Sequence, residues 1–565
     1  MHNIAPVDTS AETSAESTSG IHTVQIALTI AAVVCGLIAL AALATIIGSW
    51  VWIACAAAAI AVGLGFGPDR RGVLVLALIP ATLLTNSALV PHGGRYVPAV
   101  TVIGALFVAS RADLPQVIAR ARSLSPLLRW LLVAYIAWMA VTTLTSIQRG
   151  TSATYVIGSA VMLGLAFLLV PSLRNRSRLV EHIVATVSIT GVVIVLSGVV
   201  LWLLGSFTLY GGHVGLYFIT EATLFGHPTG LLSFQDYGPF VGPETTPLGI
   251  GLAGSVYLAA HASGRARLLW IGAAAVILLG LLTTYSREGW LIVLIICGAL
   301  AVFSRGTSPV KRPAVAVAVV MLIVFAGGIT SVIGVLGRVD LTTAWYGPSA
   351  ASVLLNPNPA QRGQSQSPGS TNPSGPVQQR TLSQPCVAEP SSGAAAGSTV
   401  QLKGSSSLLA RLCLWETGLK AIADRPLFGF GPGTGTQAII PFFEGLGASS
   451  AGATTHQTYL RIGVEMGVPG MLIYIALSGV AVWLAFVCLR SRRDRPENIL
   501  AASVLAISVA ELTDTLLFGG LSFPGFWLAM SVGLLATPSA LAQEVRTTEP
   551  VLIGRPAPAS PGMVS

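Results

Sequence analysis

Charge is what this chain has least of. Only 9% of its 565 residues are Asp, Glu, Lys or Arg, while 53% are hydrophobic and the mean hydropathy is +0.76. Water-soluble proteins carry roughly 25% charged residues, so a soluble globular domain is excluded. Lysine is nearly missing, with Arg supplying almost all of the 31 basic residues. The first 69 residues contain neither Lys nor Arg. A cleaved signal peptide needs a basic start, so residues 1–23 are expected to be a disordered polar tail. The eight His residues show no paired ligand spacing, and the first outer turn around Gly48–Trp50 has no carboxylate, so no metal site is expected. Cysteine is sparse, at six residues. Cys35, Cys55, Cys297 and Cys488 lie in apolar runs and read as small packing residues. Cys386 and Cys413 share a polar segment, where a disulfide and two free thiols are both open.

Long apolar runs are what the chain has in abundance. Stretches suited to spanning helices lie near 24–47, 49–66, 72–90, 96–110, 128–147, 152–171, 181–205, 244–261, 267–284, 288–303, 312–336, 468–489, 498–517 and 523–541. A span needs about 20 mostly apolar residues. None of the runs alternates as a barrel strand would, so helix is the expected span type. The fold class is therefore an all-α polytopic membrane protein with about 14 transmembrane helices (12–14 counting the shorter runs).

Charge orients the chain. With the N-terminus in the cytoplasm, cytoplasmic segments hold Arg70, Arg71, Arg111, Arg120, Arg122, Arg129, Arg174, Arg176, Arg178, Arg265, Arg267, Arg305, Lys311, Arg312, Arg490, Arg492, Arg493, Arg495, Arg546 and Arg555. The short outer loops hold only Arg95, Arg149 and Arg287. That bias puts both termini inside. The net charge of +9 is then anchoring charge and implies no nucleic-acid partner. The expected organisation is a tail at 1–23, helices 1–11 over 24–336, an extracytoplasmic loop over 337–467, helices 12–14 over 468–541 and a second disordered cytoplasmic tail at 542–565. Within the loop, 337–405 is Pro-, Ser-, Gln- and Gly-rich and expected to be largely disordered. Residues 406–467 are expected to be helical. There Leu408, Leu412, Trp415, Leu419 and Ile422 form an apolar stripe at helical spacing, with Glu416 and Lys420 at i,i+4 and Pro426 as the stop. Such a helix would lie on the outer membrane surface. A second outer loop, 206–243, carries His213, Glu221, His227 and Asp236.

The densest polar pattern is Arg411-x3-Trp415-x9-Arg425-Pro-x2-Gly-x-Gly, followed by His456-Gln457-x-Tyr459-Leu-x5-Met-Gly-x-Pro-Gly at the start of a span. With Thr-Tyr-Ser-Arg-Glu-Gly-Trp at 284–290, this order and spacing over roughly 240–540 resembles the O-antigen ligase and polymerase family. Members usually have near 12 spans, and many have Asn where Gln457 stands. The resemblance implies a glycosyltransferase-C-like enzyme of the cell membrane, acting on the extracytoplasmic face. It would move a glycan from an undecaprenyl-pyrophosphate carrier to a hydroxyl on a glycan, lipid or protein acceptor, without nucleotide sugar, metal or other cofactor. Ligase, polymerase and protein O-glycosyltransferase stay open.

The residues fit that chemistry. A pyrophosphate leaving group needs fixed cations at headgroup depth, and the planar fork of arginine binds phosphate oxygens in pairs. Arg287, Arg411 and Arg461 are the expected set. His456 is the expected general base, because imidazole titrates near neutral pH. Gln457 and Tyr459 would orient a sugar. Glu465 and Glu288 are reserve bases, disfavoured beside a pyrophosphate. Each has a plainer reading: an arginine at a helix end snorkels, His456 caps its helix, Arg425 belongs to a helix stop, and Trp415 anchors or packs. The glycines at 429–435 follow a helix and read as a tight turn, which excludes a dinucleotide fold. A lipid-linked oligosaccharide flippase is the alternative. It predicts buried span charges and similar halves. Only Glu511 and Asp514 meet the first requirement, and no half-to-half repeat is present. A cell-wall polymerase shares the carrier but has fewer spans and other motifs.

Overall fold

The computed structural model describes residues 72–84, 114–173, 176–204, 245–284, 286–338, 407–442, 457–491, 494–512 and 523–536, the strands between 207 and 234, and positions 100, 102–104, 106 and 455. The tails at 1–23 and 542–565, the runs at 24–47 and 49–66, residues 339–405 of the segment 337–405, His456, Cys386, Asp236 and Asp514 lie outside the described residues. So does the Cys386–Cys413 pairing.

The described body is helical: α1 (Gly72–Leu84), α2 (Leu114–Ser123), α3 (Pro126–Leu144), α4 (Arg149–Ser172), α5 (Arg176–Leu204), α6 (Thr245–His261), α7 (Gly264–Thr284), α8 (Arg287–Phe303) and α9 (Lys311–Arg338). After the long polar segment come α10 (Ser407–Asp424), the short α11 (Gly435–Ile439), α12 (Thr458–Arg490), α13 (Glu497–Ala510) and α14 (Phe523–Leu535). Among the described residues, α3, α4, α7, α12 and residues Arg178–Val199 of α5 are long and apolar enough to cross a membrane. This is a multi-pass membrane protein. The loop 206–243, left unassigned by pattern, adds two antiparallel hairpins: β1 (Phe207–Leu209) with β2 (Gly212–Val214), and β3 (Phe218–Leu224) with β4 (His227–Phe234). The second closes over the two residues 225–226, the commonest hairpin length.

Local chemistry sets the helix ends. Ser125 caps α3 by accepting from Leu128 N at 3.3 Å, with Pro126 at the first helical position. Ser286 caps α8 through Gly289 N at 3.2 Å. Helix α6 is the centre: Thr246 through Ala259 are all buried. Small residues let its neighbours close in. A Cβ on Gly254 would meet Ser188 Oγ of α5 at 2.7 Å, and Ser188 Oγ donates to Gly251 O at 3.0 Å.

Polar contacts sort to the two ends of the bundle. At one end Asp494, before α13, accepts from Ser308, after α8, and lies 3.4 Å from His261 Nε2 at the end of α6. Helices α8 and α13 pack together and run antiparallel, so Arg287 of α8 and Glu511 of α13 share the opposite end. Thr458 N donates to Glu511 O there at 3.1 Å. Arg265, Arg267, Arg305, Lys311, Arg312, Arg490 and Arg495 belong to the Asp494 end.

Candidate functional site

The site is built around a break in α12. Gly467 has φ 70° and ψ −178°, a left-handed-side conformation suited to glycine, and Pro469 follows with no N–H to offer. The break frees three carbonyls from their helical partners, and a buried carbonyl without a donor is costly. Each has found another. Val464 O accepts from Phe430 N at 2.9 Å, Glu465 O from Gly431 N at 2.8 Å, and Met466 O from Trp138 Nε1 at 2.8 Å. The freed N–H of Val468 donates to Pro426 O at 2.7 Å. The segment 426–431 is thereby stitched to α12 backbone to backbone. A Cβ at Gly467 would fall 2.3 Å from Leu427 O.

The glycine loop also clasps a carboxylate. Glu465 is fully buried. Its Oε2 accepts from Gly433 N at 2.9 Å, and its Oε1 accepts from Gly435 N at 3.1 Å and from Arg461 Nε at 2.8 Å. Glycine N–H groups converging on an anion resemble a phosphate cradle, but the anion here is the protein's own. Both carboxylate oxygens already accept N–H bonds, so Glu465 is occupied in holding the loop to α12. The i,i+4 spacing of Arg461 and Glu465 was the signal that could have found this pair. The loop's other side rests on the α3–α4 turn. Ile147 N donates to Phe430 O at 3.0 Å, Ser152 Oγ donates to Pro432 O at 2.8 Å, and Trp138 stacks on Phe428 at 5.7 Å. Nothing in the sequence patterns marked Trp138 or Ser152.

Helix α10 packs on the first part of α12. Its buried residues are Leu414, Thr417, Gly418 and Ala421, whereas Leu419 of the apolar stripe is 57% exposed. The reason is close approach. A Cβ on Gly418 would lie 3.1 Å from Thr455 Cγ2, and Ile422 sits against Gly463. The small-residue face is the one that fits. Leu414, Ala421, Phe430, Ala438, Ile439 and Val464 form a core of their own under the loop. Leu419, Leu427 and Phe428 are left as exposed apolar side chains. The Glu416–Lys420 pair is present at 3.0 Å.

The expected site residues fall as follows. Arg461, Gln457 and Tyr459 share the first turns of α12, although each has local work. Gln457 is the helix cap, its side-chain oxygen accepting from Leu460 N. Tyr459 donates to Glu511 Oε2 at 3.4 Å, and Arg461 is bonded to Glu465. Arg425 is 44% exposed, lies 3.9 Å from Asp424 and covers the Phe430 ring at 4.7 Å. Trp415 is half-buried on α10. Arg411 belongs to α10. Arg287 opens α8 at the Glu511 end of the bundle. A cation at a helix N-terminus opposes the helix dipole; Glu288 beside it favours the same dipole.

A multi-pass helical membrane protein with an ionic site at one end of its bundle is the class these features define. Residues 272–475 match the family model described as O-antigen ligase. Over that stretch the chain carries a domain of the O-antigen ligase family, as the motifs led one to expect, and the matched residues include Arg287, Arg411, Arg461 and the Gly467 break. No curated protein matches the chain. A domain of that kind suggests glycan transfer in surface-polysaccharide biosynthesis.

Proposed function

We propose that this protein transfers a glycan from an undecaprenyl-pyrophosphate carrier to an acceptor hydroxyl on the outer face of the cell membrane, as a polysaccharide polymerase or ligase without a metal. The observation that carries this reading is the O-antigen ligase domain at 272–475. In the proposed reaction His456 takes the proton of the acceptor hydroxyl. The oxygen attacks the anomeric carbon from the face opposite the carrier, and the bond from that carbon to the pyrophosphate breaks. The anomeric centre is thereby inverted. Arg287, Arg411 and Arg461 stabilise the departing pyrophosphate, where charge-assisted bonds are strongest. Arg461 is shared with Glu465, so it contributes less net charge than the other two. Gln457 and Tyr459 border the sugar, and Trp415 and Arg425 support the loop at headgroup depth.

The proposed topology keeps about 14 spans, both termini in the cytoplasm and 337–467 outside. The gathering of basic residues at the Asp494 end, opposite Arg287 and Arg461, supports that orientation. The test has two arms. Full-length protein in liposomes, given carrier-linked glycan and acceptor, should yield glycosylated acceptor and free undecaprenyl pyrophosphate. A deletion strain should lose its surface glycan, or hold it untethered or at one repeat. Carrier-linked glycan that crosses the bilayer without being transferred would favour a flippase and remove the proposal.

A further inference from the structure

Glu511 ends α13 and is fully buried, and the reaction above makes no use of it. Its contacts fall on both sides of the α12 break. Tyr459, before Gly467, donates to Oε2 at 3.4 Å, and Tyr474, after Gly467, donates to Oε1. The two tyrosine rings meet edge to face at 5.7 Å. The backbone joins in: Thr458 N, a helix-start donor with no partner in its own helix, bonds to Glu511 O at 3.1 Å. A carboxylate buried in a membrane bundle is costly and is retained for a reason.

We propose that Glu511 is a positioning residue that bridges the two parts of α12 across Gly467, fixing the angle of the break and with it the direction of the start of α12 at Gln457. The catalytic part of this inference rests on the proposed function; the geometric part does not. Backbone bonds around Gly467 tie 426–431 to both parts of α12, through Val464 and Glu465 before the break and Val468 after it. Those ties all lie within three residues of the joint. Glu511 holds Tyr459 and Tyr474, farther out on either side, so it acts on the angle through longer arms.

The geometric test needs no substrate. Spin labels on Leu419→Cys and Leu472→Cys, in full-length protein lacking its native cysteines, report the angle. Leu419 rides on α10, which packs on the first part of α12; Leu472 lies beyond the break; both are exposed. The pulsed-EPR distance distribution should be narrow in the parent. It should broaden or shift with Glu511→Ala and with Tyr459→Phe/Tyr474→Phe, and return with Glu511→Gln, which keeps an uncharged acceptor. Turnover should follow: kcat down about 10- to 100-fold for Glu511→Ala, as misplacement near 1 Å costs, with the KM for carrier-linked donor within twofold and Glu511→Gln restoring most of the rate. An unchanged distribution in Glu511→Ala overturns the inference whatever the activity. So does a Glu511→Gln protein with restored distances and no activity beside an active parent, since the charge would then be the requirement. A parent that never transfers glycan defeats the proposed function and leaves the distance measurement decisive for the bridge.

Discussion

Removing the Glu465 carboxylate is the sharpest perturbation available. In Glu465→Ala, three donors lose their acceptor at once: Gly433 N, Gly435 N and Arg461 Nε, held at 2.9, 3.1 and 2.8 Å. Breaking a buried ion pair from one side costs about 3–5 kcal/mol, because the remaining charge is uncompensated. The Arg461 side chain is 22% exposed, so it can turn towards water and the cost falls near ~3 kcal/mol. The orphaned glycine N–H groups are worth about 1–3 kcal/mol each, a cost that overlaps with the first because water entering the loop relieves both. Glu465→Gln keeps one acceptor oxygen but points an amide N–H at a backbone N–H, so a loss of about 1–2 kcal/mol is expected. The assay is equilibrium unfolding of the full chain in mixed micelles, with Arg461→Ala and the double variant completing a cycle. The coupling should reach at least about 1 kcal/mol. A Glu465→Ala protein within ~0.5 kcal/mol of the parent would behave like an ordinary surface substitution, and the clasp would have no energetic meaning.

Other outcomes follow from the same contacts. His456→Ala should cut transfer by about 10²–10⁴-fold, the usual share of a general base, with carrier-linked donor accumulating; a purified variant within threefold of the parent removes His456 from the mechanism. Arg411→Lys keeps the charge and loses the fork, so transfer should fall at unchanged protein level, and parental turnover would show the fork unused. Arg120, buried on α2, donates to Gly533 O at 3.0 Å and to Ala536 O at 3.4 Å at the end of α14. Arg120→Ala should therefore destabilise by about 1–3 kcal/mol, read as lower heat resistance of detergent-solubilised protein; no change would mean that water replaces the guanidinium. Reporter fusions at 375 and 565 should land on opposite sides of the membrane, and agreement between them would refute the proposed topology.

How much of this was legible in the sequence depends on the range of the interaction. The apolar runs fix where helices form, since a span is a local property of about 20 residues. α6, α7 and α8 begin within a few residues of the expected positions. Helix α10 was legible as a helix with an apolar stripe, but its protein-facing small residues were not, because a stripe of large side chains outweighs Gly418 and Ala421 by eye while close packing prefers the small ones. The hairpins of 207–234 were missed because alternation over three to eight residues is weak beside so many apolar runs. The site was legible as a list of cations but not as a circuit. Arg461 bonding Glu465, and Gln457 capping its own helix, are matters of three-dimensional reach.

The break at Gly467 explains why those cations need so much backbone around them. An unbroken α12 would continue from the span into the first turns with every carbonyl satisfied internally, and nothing would hold 426–431 in place. Breaking it at one glycine exposes the carbonyls of Val464, Glu465 and Met466, which recruit Phe430, Gly431 and Trp138. Those bonds bring the glycine loop to Glu465, and Glu465 in turn orients Arg461. The same break creates a joint beneath the first turns of α12. Glu511, with a tyrosine from each side, spans it at longer reach than the backbone bonds do. Gly467→Ala should thus fail twice: its Cβ would sit 2.3 Å from Leu427 O, and its positive-φ, extended-ψ backbone, open essentially to glycine alone, would cost about 1–3 kcal/mol. Loss of transfer together with exposure of the 426–435 segment to protease is the expected result. A Gly467→Ala protein that resists protease and transfers normally would mean that the break is not what organises the site.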